Sequence, residues 1–147
     1  MRLVLEGGGV RAAYSAGVVD GLAGLPFTSV IGASAGSVNA AFFASGQTDV
    51  LCEMWRNMGG SDFISHPRLF IPWGRPGLDI DTMIDDFVAP RLDVAAATSG
   101  RPKLSVVATD IARLEAVAGH PEPGDLLDWL RASNAFPLGY GRVIEIG

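Results

Sequence analysis

Two glycine-rich stretches carry the residue types able to do chemistry. In Glu6-Gly7-Gly8-Gly9-Val10-Arg11, three successive glycines follow the apolar run Leu3-Val4-Leu5, and a cation stands two residues further on. Backbone N–H groups bared at a helix start can hold a negative oxygen, whether of a phosphate or of the oxyanion in an acyl-transfer intermediate. The second stretch, Gly32-Ala33-Ser34-Ala35-Gly36, reads Gly-x-Ser-x-Gly, the pattern of a nucleophile elbow. A serine at the tip of a tight strand-to-helix turn takes up a strained backbone conformation, with its hydroxyl facing outward at the N-terminus of the next helix. Glycines two residues to either side let neighbouring chain pass close. The pattern is short enough to arise by chance, so its weight comes from its setting.

That setting is strand, turn, helix, twice over. Val30-Ile31 reads as a buried strand end, and Ser37 to Ala44 as an apolar helix. Before it, Leu3-Val4-Leu5 leads through the glycines into apolar positions at helical spacing from Val10 to Leu25, with Pro26 as a break. The first sixty or so residues therefore predict βαβα with parallel strands, whose ligands bind at the carboxyl ends. The glycine loop and Ser34 both fall there. Further on, Gly59 to Gly77 mixes Pro and Gly with large apolar groups, as a packed loop or a lid over an apolar site would. Ile80, Met83, Ile84 and Phe87 share one helical face, with solvated acids expected beside them. Lys103 to Thr109 predicts a strand ending at Asp110, and Leu114 to Val117 another. Asp125 to Ser133 predicts a helix capped by Asp125, and the alternating Arg142 to Ile146 a last strand.

Composition narrows the classes. A chain of 147 residues, 48% hydrophobic and 18% charged, suits one domain with a real core. Its net charge of -5 argues against nucleic acid as a partner. No run approaches the roughly 18 apolar residues of a membrane span, and no secretory leader is visible, so the cytoplasm is the expected location, with transient contact at a membrane surface allowed. The single cysteine, Cys52, reads as a helix core position rather than a catalytic thiol.

Taken together, Leu3 to Arg11, an elbow about 25 residues later, and Ser133-Asn134-Ala135-Phe136-Pro137 resemble the patatin-like phospholipases, in particular their bacterial branch. The resemblance spans essentially the whole chain. It implies a three-layer α/β/α fold with a mainly parallel sheet, a single domain over residues 1–147, and a serine-aspartate dyad that cleaves acyl esters of lipids without metal or cofactor. By matching motifs, Ser34 would be the nucleophile and Gly32 and Gly36 the flanks of its elbow. Gly7, Gly8 and Gly9 would form the oxyanion loop, chiefly through the Gly8 and Gly9 amides, with Arg11 beside the substrate. Two positions depart from the family pattern. Ala12 replaces a usual glycine, and no Asp-Gly-Gly or Asp-Gly-Ala motif, the family's source of the base, occurs anywhere. Asp20-Gly21-Leu22 falls in the first helix. The expectation is an N-terminal portion that holds nucleophile and oxyanion loop but not the base.

Other readings stay open from sequence. Ser34, Asp110 and His120 follow the chain order of an α/β-hydrolase triad, although that fold places several strands before its elbow. His66 and His120 each precede proline in expected loops. Gly7-x-Gly9-x-x-Ala12 also fits a dinucleotide-binding fingerprint, but the second strand ends in Gly32-Ala33-Ser34 instead of the acid that would hold a ribose. A catalytically inactive binding or regulatory fragment is the remaining alternative.

Overall fold

Each of the first two apolar runs is followed by a helix that carries the chain back, and parallel strands result. The computed structural model describes residues 1–58, 79–135 and 143–146. Strand β1 (Arg2–Leu5) leads through a 3-10 turn (Gly9–Arg11) into α1 (Ala12–Gly21). Strand β2 (Ser29–Ala33) turns into α2 (Ala35–Ala44), and α3 (Thr48–Met58) follows. A short α4 (Ile80–Thr82) continues as a π-helix (Met83–Val88), and α5 (Val94–Ser99), β3 (Lys103–Asp110), β4 (Glu115–Gly119) and α6 (Leu126–Asn134) complete the described elements. The sheet runs in the order β1-β2-β3-β4, with β1, β2 and β3 parallel and β4 antiparallel to β3. This mainly parallel sheet with its helices is consistent with the three-layer α/β/α architecture.

Register aligns the core. Leu5 pairs with Gly32 and Gly32 with Val106, while Val30 pairs with Leu104. The buried sheet residues Leu5, Val30, Leu104 and Val106 thus share one face. Helix α2 is buried at all ten of its positions. A helix with no polar face must satisfy its polar side chains internally, and Asn39 does so: its Nδ2 donates to the Ala12 carbonyl at 2.9 Å, and its Oδ1 accepts from Trp55 Nε1 at 2.8 Å. Amphipathic α3 packs Leu51, Met54, Trp55 and Met58 inward at helical spacing. On the edge strand β4, Gly119 leaves room for the indole of Trp129 from α6.

Several sequence expectations need correction. The first helix ends at Gly21 instead of reaching Leu25, because the chain turns through Gly24 at φ +87° ahead of Pro26. The acids around α4 are not simply solvated. Asp79 Oδ1 caps the helix by accepting from the Thr82 N–H at 3.0 Å, and Asp81 and Asp85 both pair with Arg131 of α6, which also holds Asp128 at 2.8 Å. Asp125 stands at the start of α6, but its carboxylate accepts from the Glu122 N–H at 2.7 Å, fastening the preceding turn and not the helix. Arg142 lies outside the described residues, and among those described Val143 to Ile146 join no strand. They alternate between exposed and half-buried, and Ile144 touches the core, yet alternation only sorts side chains, and a strand also needs a hydrogen-bonded neighbour. The segment from Gly59 to Gly77, with His66, lies outside the described residues.

Candidate active site

The turn from β2 into α2 is built by exclusion of side chains. A β-carbon on Gly32 would collide with the Gly36 carbonyl and lie 2.6 Å from the Ser37 Cα, and one on Gly36 would strike the carbonyls of Leu5 and Glu6. Both elbow glycines are therefore demanded by backbone packed on backbone. Between them Ser34 takes φ 52° and ψ −135°, a left-sided conformation rare outside glycine. It stands at the N-cap of α2, so its side chain sits at the positive end of a buried ten-residue helix. Among the described residues its Oγ has no hydrogen-bond partner.

The glycine loop faces this serine. A β-carbon on Gly7 would lie 2.9 Å from Ser34 Cβ and 3.6 Å from Ser34 Oγ, so no side chain fits between the loop and the serine. Gly9 has φ +54°, the second position in the loop that favours glycine on backbone grounds. Gly8, at φ −174°, is extended backbone with room for a β-carbon 3.6 Å from Arg11 Cβ. Its carbonyl accepts from the Arg11 N–H at 3.2 Å and from Arg11 Nε at 3.5 Å, which turns the exposed Arg11 back over the loop. A cleft of about 460 Å³ opens here over Gly7, Gly8 and Arg11, with Tyr14 in its wall. Ala12, where the sequence resemblance implies a glycine, is buried at the start of α1.

Two residues that sequence reasoning quoted but gave no role also meet the elbow. The Ser34 N–H donates to Ser133 Oγ at 2.8 Å, and Ser133 Oγ donates to the Val107 carbonyl at 2.6 Å. Asn134 Nδ2 reaches Ser37 Oγ at 3.4 Å, and Ser37 Oγ donates to the Ser34 carbonyl at 2.6 Å. The only sequence signal for these contacts was the short Ser133-Asn134 motif itself.

The structure does not assemble the alternative triad. His120 Nδ1 lies 3.0 Å from Ser105 Oγ and 3.2 Å from the Leu104 carbonyl. Leu104 pairs with Val30, so the imidazole sits roughly 13 Å down the sheet from Ser34 at the rise of a parallel strand. Asp110 lies at the right end of the sheet but is committed to the β3–β4 turn. Its Oδ1 accepts from the N–H groups of Ala112 and Arg113 at 2.9 and 3.1 Å, and Oδ2 pairs with the Arg113 guanidinium at 3.4 Å. Cys52, half-buried on α3, is held as a neutral thiol: burial pushes it up, the Asp20 carboxylate adds to this, Arg56 opposes it and Asp49 adds again. Among the described residues no cluster of acids, histidines and cysteine is placed to hold a metal ion, and no helix is long and apolar enough to cross a membrane.

A serine strained at a helix N-terminus beside a glycine loop is an arrangement that can do nucleophilic chemistry on a carbonyl. Comparison with known families gives a match. The family model described as patatin-like phospholipase matches residues 3–145. No curated protein and no solved structure matches the chain.

Proposed function

Since this chain belongs to the patatin-like phospholipase family, we propose that it is the nucleophile-bearing part of a serine acyl hydrolase acting on lipid esters. Ser34 Oγ attacks the ester carbonyl carbon, and the carbonyl oxygen takes up negative charge against the N–H groups of Gly8 and Gly9, in the loop that Gly7 brings alongside. The positive end of α2 favours the same charge. Collapse of the tetrahedral intermediate expels the lipid alcohol, which takes the proton that left Ser34, and water then hydrolyses the acyl-enzyme. The single observation that carries this reading is the lack of room for a side chain between Gly7 and Ser34, where a β-carbon on Gly7 would lie 2.9 Å from Ser34 Cβ.

The proton requires a base, and in the dyad it is an aspartate from an Asp-Gly-Gly or Asp-Gly-Ala motif. The sequence contains neither, so we assign the base to chain outside these residues. Arg11, exposed over the loop, suits an anionic headgroup. Contact with lipid surfaces is supported by exposed apolar groups at the same end of the sheet. Val10 and Tyr14 follow the glycine loop, and Leu114, at φ 54° and 82% exposed, tips the β3–β4 turn beside Ile111. The enzyme would work from the cytoplasm, touching the membrane transiently.

The test is covalent. A fluorophosphonate probe should label Ser34 in the enzyme, located by mass mapping of the labelled peptide, and Ser34→Ala should abolish both labelling and p-nitrophenyl ester hydrolysis. Label on Ser37 or Ser45 without Ser34 would reject the nucleophile. Full turnover by residues 1–147 alone would place a base within them, and Asp110→Asn would then be the first variant to measure.

A further inference from the structure

We infer that Ser133 and Asn134, the last residues of α6, are positioning residues that clasp the backbone of Ser34 from both sides. The inference rests on Ser34 as the nucleophile. The conformation of a residue is set by the two peptide groups flanking its Cα, and here each is held from α6. On the amino side, Ser133 Oγ spends its one proton on the Val107 carbonyl, 2.6 Å away, which leaves its lone pairs to accept the Ser34 N–H at 2.8 Å. Val107 is the β3 residue paired with Ala33, so this hydroxyl ties the elbow to the adjacent strand just where β2 ends. On the carboxyl side, the Ser34 carbonyl accepts both the N–H of Ser37 at 2.7 Å and its hydroxyl at 2.6 Å. Ser37 Oγ in turn accepts from Asn134 Nδ2 at 3.4 Å, while the same nitrogen donates to the Leu130 carbonyl at 2.8 Å.

Ser37 and Asn134 are buried and Ser133 partly so, and a chain of buried hydrogen bonds fixes geometry closely because each unmade bond leaves a desolvated group. Ser34 at φ 52° is a conformation that a serine leaves unless its surroundings hold it. The clasp supplies that hold from a helix about a hundred residues distant in sequence. It has a second consequence for the chemistry. The Ser34 N–H is already engaged by Ser133, so the developing oxyanion depends on the glycine loop and not on the nucleophile's own amide.

The experiment measures fluorophosphonate reaction with Ser34 in the parent, Ser133→Ala and Ser133→Thr, resolving the maximal inactivation rate from the half-saturating probe concentration, with melting curves for each. Ser133→Ala should lower the maximal rate on the order of 10- to 100-fold with half-saturation within about twofold, as expected for a misaligned nucleophile. Ser133→Thr, which keeps the hydroxyl, should recover most of it. A parent rate in folded Ser133→Ala, or equal loss in both variants, overturns the clasp. Amide hydrogen exchange at Ser34 reads the clasp independently of reactivity. Ser34 N–H should exchange at least about tenfold faster in Ser133→Ala while the amides of Ala40 and Ala41 stay unchanged. If the parent never labels at Ser34, the hydrolase assignment falls and the exchange result alone decides: faster exchange supports the clasp, and unchanged exchange overturns it.

Discussion

Gly7 lies against the side chain of Ser34, so closely that a methyl group placed on Gly7 would come to rest 2.9 Å from Ser34 Cβ and 3.6 Å from its Oγ. Real β-carbons do not approach each other so nearly, and relief must come from the loop or from the serine. Gly7→Ala should therefore leave the chain folded and lower the rate of Ser34 labelling on the order of 10²-fold. Gly8→Ala should do much less, since Gly8 is extended at φ −174° and an added β-carbon meets only ordinary contacts. Labelling rates of the two variants, measured beside their melting temperatures, check this. A larger loss at Gly8 would mean that its position, and not that of Gly7, borders the reacting oxygen.

Gly36→Ala should act on stability before activity. Its β-carbon would strike the carbonyls of Leu5 and Glu6, and backbone cannot step aside as a side chain can. The expected loss is about 3 kcal/mol or more, which for a domain of this size is on the order of 10 °C in melting temperature. Thermal unfolding by circular dichroism measures it, and an unchanged melting temperature would show the elbow and β1 to be further apart than described.

Asn39 is the polar hub under the helix layer, joining α2 to Ala12 of α1 and to Trp55 of α3. Asn39→Leu would strand the buried indole N–H of Trp55 and take from the Ala12 carbonyl the second of its two donors, with an expected loss of about 2 to 4 kcal/mol. Trp55→Phe strands only the Asn39 oxygen and should lose less than that. Urea unfolding of both variants gives the order, and the reverse order would remove Asn39 from this role.

Arg11→Ala should raise the half-saturating concentration for esters with anionic headgroups more than for neutral esters of the same acyl length. The guanidinium is exposed over the loop and held there by the Gly8 carbonyl, not by a carboxylate among the described hydrogen bonds. Equal effects on both substrates would make the charge structural.

Cys52 offers a pH readout. Its pKa is raised in the folded state, first by burial and then by Asp20, so the folded chain binds the thiol proton more tightly than the unfolded chain does. The associated stability is fully present below the unfolded thiol's value of about 8.5 and is lost as pH rises through the folded value. Urea midpoints should fall more steeply above about pH 8.5 in the parent than in Cys52→Ser. Iodoacetamide should modify Cys52 more slowly in the folded protein than in urea.

Local rules carried the front half of the site into the sequence. Gly32, Ser34 and Gly36 are spaced by the geometry of a tight turn, and the strand before and helix after them are written in apolar pattern, so strand, elbow and helix were legible together. Which glycine of the loop meets the serine was not, because three identical residues differ only in backbone angles that tertiary contact decides. Arg131 gathering Asp81, Asp85 and Asp128, and Ser133 reaching Ser34, join positions from separate helices that no periodicity links. His120 followed Asp110 in triad order, yet the antiparallel β4 carries it back to the Leu104 end of the sheet. Chain order says nothing about which end a hairpin returns to.

The same carbonyls of Leu5 and Glu6 that exclude a side chain from Gly36 also tie β1 to the elbow. The end of β1 packs on the first turn of α2 with no room for a side chain between them, so the strand that leads into the glycine loop and the turn that carries Ser34 cannot part without opening backbone-on-backbone packing. A substitution that loosens either element should therefore be felt at the other, although β1 and α2 are separated in sequence by a whole helix.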